Sequence, residues 1–303
     1  VEGPQLVWGE AARPTLARSG LKPIQALPLI RTGAADRFGL SDDEVVLACA
    51  SHNAEPDHVA TVGSWLERIG LGPDALECGP ALPGRDDDLA RHLQAGRGPE
   101  PIFNNCSGKH AGFLTVARHL EVDHRGYLEP DHPVQQLVSE AVAAFCRTDL
   151  AQQVPGRDGC GIPTWSVPLA ELAAGMARLV TPGSVDPAWD SATARVSAAA
   201  PSRAWWISGT GRHEVDLAGL ASEPILSKAG AEGVFMAALP DRGLGIAVKA
   251  ADGAARAAQV ALSAALAHLG VVPAEAVPKQ VTNVAGRVVG SVAPVGDAPA
   301  TVG

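Results

Sequence analysis

Hydrophobic residues recur every three or four positions through most of residues 41–202, which is the period of amphipathic helices. Ser41 and Glu44 have the spacing of a capping box and predict that a helix begins there. Two further helices are predicted to begin at Pro56 and Pro133, each followed by an apolar stripe at helical spacing. The pattern therefore predicts a helical lobe over residues 41–202.

Shorter apolar runs replace the helical period after residue 203 and predict strands. The predicted strands are residues 205–208, 224–228, 234–239, 244–249 and 281–292, and residues 5–8 are a candidate for one more. Residues 240–243 (Pro-Asp-Arg-Gly) have the composition of a hairpin turn. Residues 254–269 return to the helical period and predict a helix that Gly270 ends.

These elements predict an α+β fold in which an antiparallel sheet is flanked by helices. Residues 1–40 together with 203–293 form the predicted sheet lobe, into which the helical lobe of residues 41–202 is inserted. Residues 294–303 have no periodicity and are predicted to be a mobile tail. We therefore expect one unit of two lobes.

Composition and charge narrow the function classes. The 303-residue chain is 46% hydrophobic and 19% charged, as is common in folded globular proteins. Its formal charge is −9 and its basic residues form no cluster, so we expect no nucleic-acid partner and no membrane partner. The five cysteines are far apart, as is typical of reduced thiols, and no basic-then-apolar leader is visible, so we expect a cytoplasmic protein.

The first motif with catalytic potential is Ser-x-x-Lys, formed by Ser19 and Lys22. At the start of a helix this spacing puts both side chains on one face, so that a desolvated lysine amine can take the serine proton and create a nucleophile. Taken alone, the pair favours a structural alternative, an N-cap serine beside a surface lysine.

Two further motifs follow the first one along the chain. Ser-His-Asn occupies residues 51–53 before a turn, and Lys-Ala-Gly occupies residues 228–230 at the end of a predicted strand. Each alone fits an ordinary loop or strand end. Serine β-lactamases and penicillin-binding proteins, however, carry Ser-x-x-Lys, Ser-x-Asn and Lys-Thr-Gly in this order, so the three together favour a Ser-Lys amidohydrolase. Antibiotic hydrolysis is not expected, because Ala229 replaces the hydroxyl residue and Ser51 follows Ser19 closely.

Two turn-rich segments contain candidate metal ligands. Cys106, His110, Asp158 and Cys160 form a possible zinc set by ligand type, but no Cys-x-x-Cys pair occurs, and ordinary turn chemistry remains the alternative. A phosphate loop at residues 107–109 (Ser-Gly-Lys) is excluded, because the upstream glycine of a Walker A motif is missing.

With these motifs in place, the chain resembles the rhizobial-type, or class 3, L-asparaginases of the asparaginase II family. The matching segments are residues 18–28, 48–56, 104–112, 127–135 and 158–164. The resemblance extends over residues 5–292 and implies a fold like that of serine β-lactamases and penicillin-binding proteins. It also implies a homodimer and L-asparagine as the substrate.

The resemblance implies two Ser-Lys tandems, Ser19 with Lys22 and Ser51 with Lys228. In this interpretation Ser19 attacks the side-chain amide, Lys22 accepts its proton, and the second tandem relays a proton to the leaving ammonia. A glutaminase or another small-amide hydrolase, a non-catalytic asparagine-binding protein, and a metal-water hydrolase are the alternatives.

The resemblance also implies a zinc site with three ligands: Cys106, Lys109 and Cys160. His110 and Asp158 match positions beside that metal and are expected to orient the substrate. Arg18 is a candidate for pairing with the substrate carboxylate, with a surface arginine as the alternative. The chain departs from the family in having Asn53 where serine is common, and in lacking a further cysteine around residues 212–215.

Overall fold

Helices and short antiparallel strands alternate along the chain, which this computed structural model describes at residues 3, 5–151, 153–295 and 300–301. The α-helices are α1 (Lys22–Gln25), α2 (Leu27–Arg31), α3 (Ala34–Arg37), α4 (Asp42–Ala48), α5 (Pro56–Arg68), α6 (Asp86–Gln94), α7 (Ser107–Leu120), α8 (Pro133–Cys146), α9 (Leu169–Leu179), α10 (Asp190–Ala199), α11 (Ala204–Ser208), α12 (His213–Leu220) and α13 (Ala255–His268). The strands are β1 (Leu6–Val7), β2 (Pro14–Leu16), β3 (Gly156–Arg157), β4 (Pro163–Thr164), β5 (Ser166–Pro168), β6 (Leu226–Gly230), β7 (Val234–Leu239), β8 (Leu244–Lys249), β9 (Lys279–Thr282), β10 (Val288–Val292) and β11 (Ala300–Thr301). This mixture confirms the predicted α+β class.

The helix starts that the sequence predicts are present. At the start of α4, the Ser41 hydroxyl accepts from the Glu44 N–H at 3.3 Å and the Glu44 carboxylate accepts from the Ser41 N–H at 2.8 Å, which completes the capping box. Helices α5 and α8 begin at Pro56 and Pro133, as predicted. Proline is favoured at a first helical position because its missing N–H is not needed there.

Strands β6, β7 and β8 form one antiparallel sheet in that order. Their register pairs Lys228 with Met236 and Phe235 with Val248. The turn between β7 and β8 contains Gly243 at a φ of +58°, a conformation that glycine adopts without a steric penalty. The predicted strands 234–239 and 244–249 and their hairpin turn are therefore confirmed.

The central strand β7 is buried on both faces. Successive side chains of a strand point to opposite sides, so Val234, Met236 and Ala238 join the main helical core. Phe235 and Leu239, from the alternate positions, join a second apolar cluster with α13. Burial on two sides explains why β7 reads as a continuous apolar run.

Two predicted strands differ in the structure. Residues 205–208 form α11 instead, in which Trp205 stacks on His58 with ring centroids 4.1 Å apart. A short apolar run does not distinguish helix from strand, and this packing decides the outcome. Residues 281–292 form the hairpin of β9 and β10 rather than one strand, because Gly286 turns the chain at a φ of +75°.

The first strand and the helical stretch also need correction. Residues 5–8 supply β1, which pairs with β11 and not with the β6–β8 sheet. The predicted helical stretch 41–202 also contains the short strands β3, β4 and β5. Strand β5 pairs with β2, which links this stretch to the N-terminal part of the chain. The sequence misses these strands because each has only two or three residues.

Two close approaches bring the motifs together. A Cβ atom at Gly230, at the end of β6, would lie 2.7 Å from the Ala17 oxygen and 3.1 Å from the Gly20 nitrogen. A Cβ atom at Gly108 would collide with the Leu47 carbonyl, where α7 crosses α4. Glycine at position 230 therefore lets β6 approach the turn before α1, and glycine at position 108 lets α7 pack closely against α4.

Within the described residues, we find no helix with the length and apolar character needed to cross a membrane. Residues 296–299 and 302–303 of the predicted tail lie outside the described part of the chain. The division into two lobes and the likeness to serine β-lactamases remain predictions.

Candidate active site

Ser51 occupies the centre of the candidate site. It follows α4 closely, and its N–H donates to the Ile207 oxygen at 2.8 Å, which holds this loop against α11. The Nζ atoms of two lysines lie against its hydroxyl, Lys22 at 2.8 Å and Lys228 at 2.9 Å. Lys22 comes from α1 and Lys228 from β6, so the fold places two amines around one serine.

Burial lowers the pKa of both lysine amines. Desolvation and the charge of Lys22 lower the pKa of Lys228 to about 7. Desolvation likewise lowers the pKa of Lys22, with a further contribution from the charge of Lys109. Lys228 is therefore able to lose and regain a proton near neutral pH.

Ser19 is placed differently from the expectation. It lies in a 3₁₀ turn, Arg18–Leu21, and its hydroxyl makes no hydrogen bond to any residue that the structure describes, Lys22 included. Lys22 Nζ instead donates to the Ala50 oxygen at 2.5 Å, to Ser51 and to Cys106 Sγ at 3.1 Å. The serine hydroxyl is half-buried and uncommitted, one helical turn from Lys22.

The three residues expected to bind zinc lie together beside Lys22. Cys106 precedes α7, Lys109 lies one turn later on that helix, and Cys160 comes from the turn after β3. Lys109 Nζ donates to Cys160 Sγ at 3.0 Å, and both cysteines and the lysine are buried. All five cysteines are free thiols, as the sequence predicts.

Cys106 and Cys160 shift each other's pKa in opposite directions. The interaction with Cys160 and the charges of Lys22 and Lys109 hold the pKa of Cys106 well below its usual value. The interaction with Cys106 and burial raise the pKa of Cys160. Burial alone would lower the pKa of Lys109, but the neighbouring sulfurs outweigh it and raise that pKa.

This donor set fits a soft cation. Within the described residues, no group of three or more His, Cys, Asp and Glu side chains is arranged to hold a metal ion. The set predicted from the sequence instead combines two cysteines with the Lys109 amine. Two sulfurs and one nitrogen are donor types that zinc accepts, and Cys106 already favours its thiolate form.

Arg18 and Asp158 form an ion pair, with Nε 2.6 Å from Oδ1. Arg18 adopts a φ of +51°, an uncommon conformation for a side chain with a Cβ atom, and only 23% of its side chain is exposed. Burial alone would raise the pKa of Asp158, but hydrogen bonds from Arg18 and the Gly159 N–H and the charge of Lys109 together lower it. Asp158 is therefore a stable carboxylate.

His110 has one satisfied and one unsatisfied ring nitrogen. The Tyr127 hydroxyl accepts from the Glu77 N–H at 2.9 Å, so its own proton is available for His110 Nδ1 at 2.7 Å. His110 Nε2 then carries the ring proton, and it is buried without a partner among the described residues. Burial and the charges of Lys109 and Lys22 hold the pKa of His110 well below its usual value, so the ring is neutral.

Sequence reasoning missed a second network beside Ser51. Glu55 accepts from the Thr210 N–H at 2.7 Å and the Thr210 hydroxyl at 2.8 Å, and Asn53 accepts from Arg212 Nη1 at 3.3 Å. Buried Glu214 accepts from the Ala229 N–H at 3.1 Å, next to Lys228. In the sequence, Gly-Thr-Gly at residues 209–211 indicates a turn, but it does not indicate which residues that turn contacts.

The chain matches a known family over nearly its whole length. The model of the family described as L-asparaginase II matches residues 2–294. No curated protein sequence is similar enough to be matched to the chain. The family match includes every residue of the site described above, and on this basis the chain belongs to the L-asparaginase II family.

Proposed function

We propose that this protein is an L-asparaginase that hydrolyses L-asparagine to L-aspartate and ammonia through a serine acyl-enzyme. The observation that carries the proposal is the position of Ser51 Oγ within 2.9 Å of two fully buried amines, those of Lys22 and Lys228. A serine hydroxyl in contact with two desolvated amines can carry the proton of an attacking serine on to the leaving nitrogen. Family membership supports the same reaction class.

Ser19 is the proposed nucleophile, because its hydroxyl is half-buried and uncommitted whereas Ser51 is enclosed by two amines. Ser19 Oγ bonds to the side-chain amide carbon while its proton passes to Lys22, which accepts it as the neutral amine after turning from its contacts with Ala50, Ser51 and Cys106. Ser51, in contact with Lys22 and Lys228, carries a proton on to the leaving nitrogen, and the C–N bond breaks to release ammonia. Water then attacks the ester, releases aspartate and restores the Ser19 hydroxyl.

Three residues are proposed to orient the substrate. The unpartnered, buried His110 Nε2–H is a donor for a substrate oxygen. Asp158 is a carboxylate for the substrate ammonium group, and its contact with Arg18 fixes its position. Two arginine nitrogens of Arg18 remain for a substrate oxygen, since Nε alone contacts Asp158.

Zinc is the proposed cofactor, and Cys106, Lys109 and Cys160 would hold it. When bound, the ion supplies a fixed positive centre beside the substrate groups. Lys109 must lose its proton to become a ligand, so binding releases a proton. The reaction steps proposed above use only the side chains of Ser19, Lys22, Ser51 and Lys228.

A homodimer is part of the proposal, and the exposed valines of the β9–β10 hairpin are compatible with an interface. Val281, Val288 and Val289 expose 42%, 57% and 62% of their surface. Neighbouring apolar side chains at the surface are typical of contact sites. The mass in solution, measured by sedimentation equilibrium, tests this expectation.

Ammonia release from L-asparagine and L-glutamine tests the proposed function. Wild type, Ser19→Ala and the matched control Ser64→Ala should be compared, since Ser64 lies on the exposed face of α5. We expect release from asparagine by wild type and Ser64→Ala and loss in Ser19→Ala. Faster release from glutamine would assign a glutaminase, and no release from either amide would favour a non-catalytic asparagine-binding protein.

A further inference from the structure

The loop that follows α11 is fastened to the segment after Ser51. The Asn53 amide donates to the Thr210 oxygen at 3.0 Å, and Glu55 accepts from both the N–H and the hydroxyl of Thr210. Gly209 adopts a φ of +108° there, and a Cβ atom at this position would collide with the Glu55 carboxylate. The loop is thus held in one place beside the serine that contacts both lysines.

This loop, between α11 and α12, carries Arg212. Asn53 Oδ1 accepts from Arg212 Nη1 at 3.3 Å, and Asn53 lies two residues after Ser51. The Arg212 side chain belongs to a half-buried residue at the start of α12, and its charge acts on Lys228. The guanidinium is thereby held against the segment whose Ser51 contacts Lys228.

Two other arginines near the site are each paired with a carboxylate. Arg18 is paired with Asp158 at 2.6 Å, and Arg85 is paired with Glu55 at 3.1 Å. By contrast, Arg212 forms no ion pair with any carboxylate in the described part of the chain. An arginine near a site, fixed by one neutral acceptor and lacking a carboxylate, is suited to an anionic ligand.

We propose that Arg212 is a substrate-binding residue that holds the α-carboxylate of the amino-acid amide. The proposal rests on the proposed function and extends it to the part of the substrate that does not react. The hydrogen bond from Nη1 to Asn53 orients the planar guanidinium, and the remaining N–H groups form the fork that matches a carboxylate. The Asp158 carboxylate is left for the ammonium group, so the two ends of a zwitterion meet opposite charges.

Kinetics with two substrates test this assignment. L-asparagine carries the α-carboxylate, and L-asparagine amide replaces it with a neutral carboxamide. We expect Arg212→Gln to raise KM for asparagine roughly 10- to 100-fold, with a much smaller effect on kcat, and to leave KM for asparagine amide near the wild-type value. Arg212→Lys should recover part of the loss, because it restores the charge but not the fork.

Arg256→Gln is the matched control, because Arg256 lies on α13 with 67% of its side chain exposed. It should leave KM for both amides unchanged. An unchanged KM for asparagine in Arg212→Gln, or an equal rise for both amides, would overturn the assignment, since the second result indicates a positioning effect through Asn53.

A calorimetric titration with L-aspartate separates this inference from the proposed function, because it needs no turnover. If wild type releases no ammonia, the proposed function fails and the titration alone decides. Binding by wild type that weakens in Arg212→Gln but not in Arg256→Gln supports the carboxylate site. Equal binding by the two variants, or no binding by wild type, overturns it.

Discussion

Lys228 Nζ lies 2.9 Å from Ser51 Oγ, although 177 residues separate the two in the chain. The contact forms because Gly230 allows β6 to approach the turn before α1, while α11 holds the Ser51 loop. Lys22 reaches the same hydroxyl from the other side. One serine thereby connects the two lysines into a path along which a proton can move.

Ser51→Ala should break this path without removing the proposed nucleophile. We expect kcat for L-asparagine to fall roughly 10²- to 10⁴-fold, because positioned proton transfer contributes on this scale, while KM changes little. Ser64→Ala on exposed α5 controls for the loss of a hydroxyl elsewhere. A Ser51→Ala enzyme with wild-type kcat would show that the serine is not part of the path.

The depressed pKa of Lys228 should also be visible in stability. Its pKa is about 7 in the folded chain and near 10.4 in the unfolded chain, so between these values the unfolded state binds more protons and stability rises with pH. Lys228→Met removes this dependence. The difference in unfolding free energy between wild type and variant should therefore change by about 1.4 kcal/mol per pH unit above pH 7.

Urea unfolding at several pH values between 6.5 and 8.5 measures that difference. The wild type should gain stability relative to Lys228→Met as the pH rises, since the protonated amine is the form that burial disfavours. A constant difference across the range would mean that Lys228 keeps its ordinary pKa in the folded protein.

Gly230→Ala tests the close approach of β6 to the Arg18–Leu21 turn, which contains Ser19. A Cβ atom there would lie 2.7 Å from the Ala17 oxygen, so we expect a loss of about 1–3 kcal/mol in stability and a lower kcat. Gly290→Ala is the matched control, because a Cβ atom at that position in β10 meets nothing within 4 Å. Equal effects of the two substitutions would argue against a tight contact at Gly230.

Zinc binding should depend on Cys160 and not on Cys146. Cys160→Ala removes a sulfur that contacts Lys109, whereas Cys146→Ala truncates a buried thiol at the end of α8. After dialysis against zinc and then buffer, elemental analysis should find the metal in wild type and Cys146→Ala and little in Cys160→Ala. Equal metal content in all three proteins would place any zinc elsewhere.

The extent to which sequence predicts this structure depends on how local each signal is. The capping box of Ser41 and Glu44 acts within one helical turn, and it predicts the start of α4 correctly. The apolar run at residues 205–208 is ambiguous by period, and its helix is decided by stacking of Trp205 on His58 from another segment.

The same distinction applies to the site. The motifs identify Lys22, Ser51 and Lys228, and the structure brings these three together. Sequence did not reveal that Lys22 turns toward Ser51 rather than Ser19, because that depends on where the Ser51 loop is packed. Arg212 carries no motif of its own, and its place follows from contacts with residues more than 150 positions away.

Intact-protein mass spectrometry of wild type, quenched with acid during turnover of L-asparagine, tests the central claim most directly. We predict an added acyl mass, located by peptide mapping on the peptide that contains Ser19 and missing in Ser19→Ala. The opposite result would be that no adduct forms, that turnover continues in Ser19→Ala, and that turnover stops when the metal is chelated. That outcome would contradict a serine-lysine mechanism and indicate a metal-water hydrolase.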